Sequence, residues 1–415
     1  MRTIKQEYYF PLIIAIHFIL WWIDLTLYQG TYDYTSKHIA SEVFSSWAVT
    51  VFAANFLMAT RAKWIERMFG GLDKMYMIHR RAGVIGFTLL VLHFIVVPRD
   101  PVFTIGKPMG FYALVLILIG VIVSAVPYFK RVFKYNKWLN FHKLMGLFYI
   151  LGIAHAVNVP TLTSQLPIVR TYVFGMAFLG ILAWFYKAFL YGLFNKKLKY
   201  SVDSLKRFDN DILEISLKAE NKKLSFQAGQ FAFISFKGIA RQESHPFTIS
   251  SHPSDENLRI TVKALGDYTS KLQTTLTEGV QTKVEGAFGQ FNFKKAKYKK
   301  QLWLAGGIGI TPYLSFLKEV DSSYDVNLIW AVNNKEEANY QKEIQDDLKS
   351  NIKYLLNKSD TAGHFTIDKL YKSIDLTEHS IFICGPEVMR ESYIKQLLQK
   401  GVSIRDIHYE EFSFR

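Results

Sequence analysis

Two histidines, His79 and His93, stand 14 residues apart in the run HRRAGVIGFTLLVLH; two more, His142 and His155, stand 13 apart in HKLMGLFYILGIAH. Between Ala82 and Leu92 the first run carries no charge. At 1.5 Å of rise per residue the spacings are roughly 21 and 19 Å of helix, so two histidines share one depth and two share another. Ionisable side chains are costly in an apolar bundle and tend to be retained for function. Two imidazoles facing each other can supply both axial ligands of a haem iron. The expectation is therefore two stacked bis-histidine haems, His79 with His142 and His93 with His155. His17 and His38 lack such partners and read as packing or interfacial residues. At 100° per residue, 14 residues return to within about 40° of one face, whereas 13 miss it by about 140°. The helix holding His142 and His155 should therefore contain a non-α turn, a kink or a strong tilt, and Gly146 and Gly152 make local distortion plausible.

The surrounding chain must position these rings. Its 415 residues are 50% hydrophobic, and the apolar residues concentrate in the first ~195. Six membrane spans are expected, at about 10–28, 43–60, 76–97, 111–129, 141–157 and 171–194, each near the ~20 residues that cross a bilayer. The fifth is the shortest. Basic residues gather after the second span (Arg61, Lys63, Arg67, Lys74), the fourth (Lys130, Arg131, Lys134, Lys137) and the sixth (Lys196, Lys197, Lys199). By the positive-inside rule both termini are cytoplasmic. The net charge of +15 lies beside apolar runs, which fits a lipid surface rather than nucleic acid. A single cysteine, Cys384, rules out an intrachain disulfide. The first apolar run lacks a small-residue cleavage site, so no cleavable signal peptide is expected.

From about Lys199 the pattern changes. DILEISLKA, QFAFISFKG, NLRITVKAL and TKVEGAFG are short alternating runs with glycine-containing breaks, the signature of a small antiparallel barrel. QLWLAGGIGITPYLSFLKEV then reads as a buried strand, a Gly-rich turn and a helix opened by Thr311-Pro312, which places backbone N–H groups where a phosphate can bind. VNLIWAV and SIFICGP alternate with helical runs, which implies a parallel α/β sheet with ligands at the strand C-termini.

Several short stretches recur here in a fixed order: HPFTISS (245–251), GDYTSKL (266–272), GGIGITP (306–312), CGPEVMRE (384–391) and the terminal HYEEFSFR. Over residues ~199–415 that order resembles the ferredoxin–NADP reductase superfamily. Joined to six spans with four histidines, the whole chain resembles the NADPH oxidase and ferric reductase superfamily, most nearly its minimal bacterial oxidases of the streptococcal kind. The resemblance implies a multi-domain fold: a six-helix transmembrane haem-binding bundle (1–195), an antiparallel β-barrel FAD domain (196–297) and an α/β NAD(P)H-binding domain (298–415). The cofactors it implies are FAD, two b-type haems and NADPH, with NADH as the other candidate.

The resemblance also implies residue roles. His79, His93, His142 and His155 match the family's haem ligands, and Phe148 an aromatic lying between the haems, or else a packing residue. His245, Pro246, Phe247, Thr248 and Ser250 would line the flavin. His245 stands where the wider superfamily has arginine, so the flavin pyrophosphate would rest more on Lys263, Gly266, Thr269 and Ser270; Lys263 could equally be a solvated strand charge. Gly306, Gly307, Gly309, Thr311 and Pro312 would take the nucleotide phosphates, and Cys384, Gly385 and Pro386 would flank the nicotinamide. Phe412, or else Phe414, would cover the flavin ring. Asn333-Asn334-Lys335 lacks the arginine that many NADPH-selective relatives carry there. The implied activity moves electrons from cytosolic NAD(P)H through FAD and the haems to dioxygen outside the plasma membrane, giving superoxide. A ferric-chelate reductase and a haem relay to another protein are the alternatives. Neither an acidic calcium loop before the first span nor a long regulatory insertion is seen, so no obligatory protein activator is expected.

Overall fold

The structure, a computed structural model, describes residues 9–31, 34–99, 101–133, 135–208, 211–371 and 374–410. The chain divides into two compact units, Met1–Phe194 and Asn195–Phe414.

The first unit is helical. Four of its helices are long and apolar enough to cross a bilayer: Ser36–Ala59, Leu72–Val96, Gly106–Ala125 and Pro167–Phe194. Six spans are expected from the sequence; among the described residues these four meet the length and composition of one. At the first expected span a helix runs Tyr9–Leu27, with its apolar stretch described over Leu12–Leu27. At the fifth, the helix is broken in two, Tyr135–Lys143 and Met145–Asn158. The second piece has 14 residues, about 21 Å of rise against a hydrocarbon core of ~30 Å.

The break lies at Leu144, inside the 13-residue interval where a non-α turn was expected. There the amides of Leu144 and Leu147 reach back only three residues, to Phe141 O (2.9 Å) and Leu144 O (2.8 Å). The indole N–H of Trp184, on the last span, donates to the carbonyl of Lys143 (2.7 Å). Its ring occupies the space that a side chain at Gly146 would need, 2.2 Å from a Cβ placed there.

Ala48, Val51, Phe52, Ala82, Leu89, Ile117 and Tyr149 form a buried core among these helices. Large apolar side chains such as Trp22, Ile95, Phe178 and Leu182 point outward, as lipid-facing residues do. Two carboxylates on the helices are matched to helix starts rather than to cations. Glu42 accepts the amides of Leu162 and Thr163 (both 2.6 Å), and buried Asp24 accepts that of Val169 (2.7 Å). An N-terminal amide cluster stabilises a negative charge that an apolar surrounding would otherwise exclude.

The second unit holds two sheets. Strands β1 (Leu198–Phe208), β2 (Ile212–Ala219), β3 (Phe231–Phe236), β4 (His245–Thr248), β5 (Leu258–Lys263) and β6 (Gln281–Phe288) form an antiparallel sheet in the order β4-β3-β6-β1-β2-β5. A bridge from Ile249 to Ile260 joins its two edges into a barrel. Alternation in β2 sends Leu213, Ile215 and Leu217 inward, where they meet Ala232, Ile234 and Val284.

Strands β7 (Lys300–Gly306), β8 (Asp325–Val332), β9 (Ile352–Lys358), β10 (Ser380–Cys384) and β11 (Ile407–Tyr409) form a parallel sheet in the order β11-β10-β7-β8-β9. Strands β7, β8 and β10 are buried nearly throughout because helices cover both faces, which explains their continuous apolar runs. From β7 the chain steps to β8 and β9 on one side, then crosses to β10 on the other. The order therefore reverses between β7 and β10, and a crevice at their C-terminal ends is where such folds bind ligands.

Candidate functional site

The four membrane histidines meet in two pairs. The rings of His79 and His142 have centroids 6.1 Å apart at 70°, and those of His93 and His155 lie 6.4 Å apart at 64°. Metal–imidazole bonds of about 2.0–2.1 Å on each side, plus roughly 1.1 Å from nitrogen to ring centre, put such centroids about 6.3 Å apart. Both pairs thus have the spacing of two rings that share one metal atom.

The other ring nitrogens are engaged. His79 Nδ1 lies 3.2 Å from the carbonyl of Asn55, His93 Nδ1 2.9 Å from that of Ser41, and His155 Nδ1 2.9 Å from that of Gly106. His142 Nδ1 lies 3.0 Å from the hydroxyl of Ser124. A carbonyl can only accept, so in those three pairs the proton sits on Nδ1 and Nε2 keeps its lone pair for a metal. Outer partners of this kind hold a ligand ring in one orientation. Trp138, one turn before His142, stacks on its ring at 5.1 Å and 16°. Gly110 allows the approach of His155, because a Cβ there would lie 2.7 Å from Nδ1. The three carbonyl partners could not be read from the sequence, because a backbone carbonyl carries no residue signature. Phe148 lies between the two histidines of its segment, 6.5 Å from Phe141, and joins the core around Tyr149.

In the second unit the expected motifs fall at the ends of strands and on the turns that follow them. Thr248 ends β4, is buried and pairs with Phe231; Phe247 and Ser250 are buried beside it. His245, at the start of β4, stacks on Tyr268 with centroids 3.7 Å apart, and its Nε2 lies 3.5 Å from Glu243. Burial pushes the Tyr268 phenol up, with Glu243 adding to the effect. Tyr268 belongs to the helix Asp267–Thr275, whose start is shaped by Thr269: its hydroxyl accepts the amides of Leu265 (2.9 Å) and Gly266 (3.1 Å). Ser270 is exposed on the same turn. Lys263 ends β5 and is paired with Glu337 at 3.3 Å, so its charge is already directed to the parallel-sheet half of the unit.

Past β7, Gly306 and Gly307 lead through a single 3-10 turn into the helix Thr311–Glu319, with Pro312 in its first turn. Thr311 donates to Ile308 O at 3.2 Å. Gly309 lies against the end of β10; a Cβ there would stand 2.2 Å from the carbonyl oxygen of Cys384. The Gly-rich turn and the Cys384-Gly385-Pro386 segment are thus packed backbone to backbone. Cys384 is fully buried. Burial pushes its thiol well above the ordinary range, and the nearby Glu410 adds to the effect. Glu410, just past β11, is buried, and a Cβ on Gly289 of the barrel side would lie 3.8 Å from it. In the sequence Glu410 stands among the aromatics of HYEEFSFR, where no residue pattern marks it as buried. Phe412 and Phe414 lie outside the described residues.

Comparison with known proteins gives three family matches along the chain. Residues 44–153 match the ferric reductase like transmembrane component, 197–311 an FAD-binding domain and 303–395 an oxidoreductase NAD-binding domain. Dual oxidase 2 of Sus scrofa is 25% identical over 65% of this chain, an alignment that takes in 18% of that protein's own length. A superoxide-generating NADPH oxidase heavy chain of Dictyostelium discoideum is 24% identical over 49% of this chain and 41% of its own. Among solved structures, a ferredoxin NADP+ reductase from Neisseria gonorrhoeae is similar over 52% of this chain and 99% of its own, at 19% identity and a TM-score of 0.48.

Proposed function

Because the chain belongs to the NADPH oxidase and ferric reductase superfamily, we propose that it oxidises NAD(P)H on the cytoplasmic face of the plasma membrane and reduces dioxygen to superoxide on the other. One nicotinamide surrenders two electrons and leaves a proton in the cytosol. Two dioxygen molecules each accept one electron. The observation that carries this reading is the joining, in one chain, of two facing imidazole pairs with a flavin- and nucleotide-binding unit.

Each part of the chain has a task in that scheme. His79 with His142, and His93 with His155, would each hold one b-type haem through Nε2. The carbonyls of Asn55, Ser41 and Gly106 and the hydroxyl of Ser124 keep the rings facing. Haems held there would supply one-electron transfer. Thr248 and its strand would line the flavin, and the turn at Gly266–Ser270 would meet its phosphates. FAD held there would supply the conversion between two-electron and one-electron chemistry. Gly306–Pro312 would bind the nucleotide phosphates through backbone amides, with Cys384-Gly385-Pro386 beside the nicotinamide. Lys263, committed to Glu337, is better placed to tie the two lobes together than to bind a phosphate. The basic loops support cytoplasmic termini by the positive-inside rule.

The test is NADPH- or NADH-driven cytochrome c reduction by the purified protein, with and without superoxide dismutase, after a visible spectrum has been recorded. A low-spin haem spectrum and a dismutase-sensitive rate are expected. The match to ferric reductase components favours one second reading, reduction of a ferric chelate. A rate that dismutase leaves unchanged, and that rises with added ferric citrate under argon, would select it.

A further inference from the structure

The barrel and the parallel-sheet lobe of the second unit meet through a polar cluster built on Arg259 of β5. Its two terminal nitrogens donate to the carboxylate of Glu343, at 2.9 and 2.6 Å. Glu343 lies on the helix Gln341–Asp346, which follows β8. The guanidinium also stands 3.5 Å from Glu214 of β2 and donates to the carbonyl of Ser250 at 3.1 Å. Tyr340 completes the cluster. Its hydroxyl lies 2.9 Å from Glu214 and 2.7 Å from Thr261, and its ring lies beneath the guanidinium, 5.8 Å from the carbon. Glu214 and Thr261 face each other across β2 and β5, so both strands grip one tyrosine of the other lobe.

The cluster is built for rigidity rather than solvation. Arg259 keeps 18% of its side-chain surface, Tyr340 is buried, and the fork-to-carboxylate geometry admits little rotation. Burial disfavours the Arg259 charge, but the hydrogen bonds and charge of Glu343 more than offset it. Burial also pushes the Tyr340 phenol up, with Glu214 adding to it.

What the cluster holds is the strand of the flavin motif. Ser250 and Ser251 directly follow Thr248 and Ile249. Arg259 fixes them with its side chain and its backbone, since Ser250 N donates to Arg259 O (2.8 Å) and Arg259 N to Ser251 Oγ (3.0 Å). From the other lobe, buried Ser315 donates to Ser251 O at 2.7 Å. Ser315 lies one turn past Thr311-Pro312, on the helix that opens at the Gly-rich turn.

We propose that Arg259, Glu214, Glu343 and Tyr340 form an interlobe latch of positioning residues that sets the approach of the nicotinamide to the flavin. The latch rests on the reading of this unit as an NAD(P)H-oxidising flavoprotein. It acts through geometry alone, by holding the strand beyond Thr248 against the helix beyond the phosphate turn. Small misplacement at a reacting pair can cost about a hundredfold in rate, so loss of one member should be read in the transfer step.

The experiment is anaerobic stopped-flow reduction of the bound FAD by NADPH in the full-length holoprotein, for wild type, R259K, E343A and R259K/E343A. The expected result is a rate per bound FAD about tenfold lower in each single variant. A larger primary isotope effect with 4-deuterated NADPH and unchanged haem absorbance should accompany it. The double variant should be little worse than either single, because the pair acts as a unit. If E343A emerges without FAD, E343Q decides in the same assay. A purely structural role would lower thermal stability or FAD content and leave the rate per bound FAD at the wild-type value, and that outcome overturns the proposal. A wild-type flavin that neither NADPH nor NADH reduces would instead overturn the activity reading beneath it.

Discussion

A hydrogen atom is all that position 110 can carry beside the ring of His155, and a larger side chain there should act as a ligand mutation at one remove. Replacement of Gly110 by leucine is expected to displace the ring and cost one of two haem equivalents. His93→Leu should do the same by removing the opposing ligand. In both variants the flavin should remain reducible by NAD(P)H. Haem and flavin content per chain, measured on the purified variants, checks this; two full haem equivalents in His93→Leu would sink the pairing. At Cys384 the expectation is inertness. The thiol is wholly buried and its ionisation is pushed well up, so little thiolate exists at pH 8. Iodoacetamide should label it at least about tenfold more slowly than a free thiol until denaturant is added. Rapid labelling of the native protein would show that the β10 end is open.

Among the elements, the broken helix around Leu144 is the one whose shape bears most directly on the proposed haem ligation. An unbroken α-helix would turn His142 and His155 onto different faces. The tightened turn at Leu144 lets both meet partners on Leu72–Val96. A break exposes backbone acceptors, and Trp184 answers for that of Lys143. Trp184→Phe removes this donor while keeping the ring over Gly146. It should cost about 1 kcal/mol and lower the thermal midpoint followed by haem absorbance. An unchanged midpoint would mean that lipid or water satisfies that carbonyl equally well.

On the scale of the whole molecule, the second unit has its own buried cores in the barrel and on both faces of the parallel sheet. Residues 195–415 expressed alone are therefore expected to fold cooperatively, bind FAD and reduce ferricyanide with NAD(P)H. A flavin-free, protease-labile product would refute that independence. The ties between its lobes should respond to acid. Burial opposes ionisation of Glu337, but the amide groups of Asn333 and the ammonium of Lys263 outweigh it and hold the carboxyl below its ordinary 4.5. A depressed carboxyl contributes stability above its unfolded pKa and loses it as pH falls through the folded one. The unit should thus lose stability below about pH 4.5, and Glu337→Gln should flatten part of that slope, as read from thermal midpoints between pH 3 and 7. An identical slope in the variant would assign the acid sensitivity elsewhere.

Patterning along the chain was enough to place the histidine runs in helices, the barrel strands after Lys199, the buried β7 and the Gly-rich turn behind it. These depend on local periodicity and on residue types whose chemistry is narrow. The 13-residue spacing of His142 and His155 even required a distortion, since α-helical rotation is a property of the backbone. Hydropathy by itself did not mark where the turn falls: apolar composition continues through Leu144, whereas the helix does not, because hydropathy registers burial and not hydrogen bonding. For Lys263 the sequence left a phosphate ligand and a solvated strand charge both open, and only the fold shows Glu337 beside it from 74 residues away. Arg259, Glu343, Glu214 and Tyr340 were unremarkable polar residues on four separate segments. Only tertiary structure turned them into one cluster, because a buried charge is specified by the partner that neutralises it, and that partner can lie anywhere in the chain.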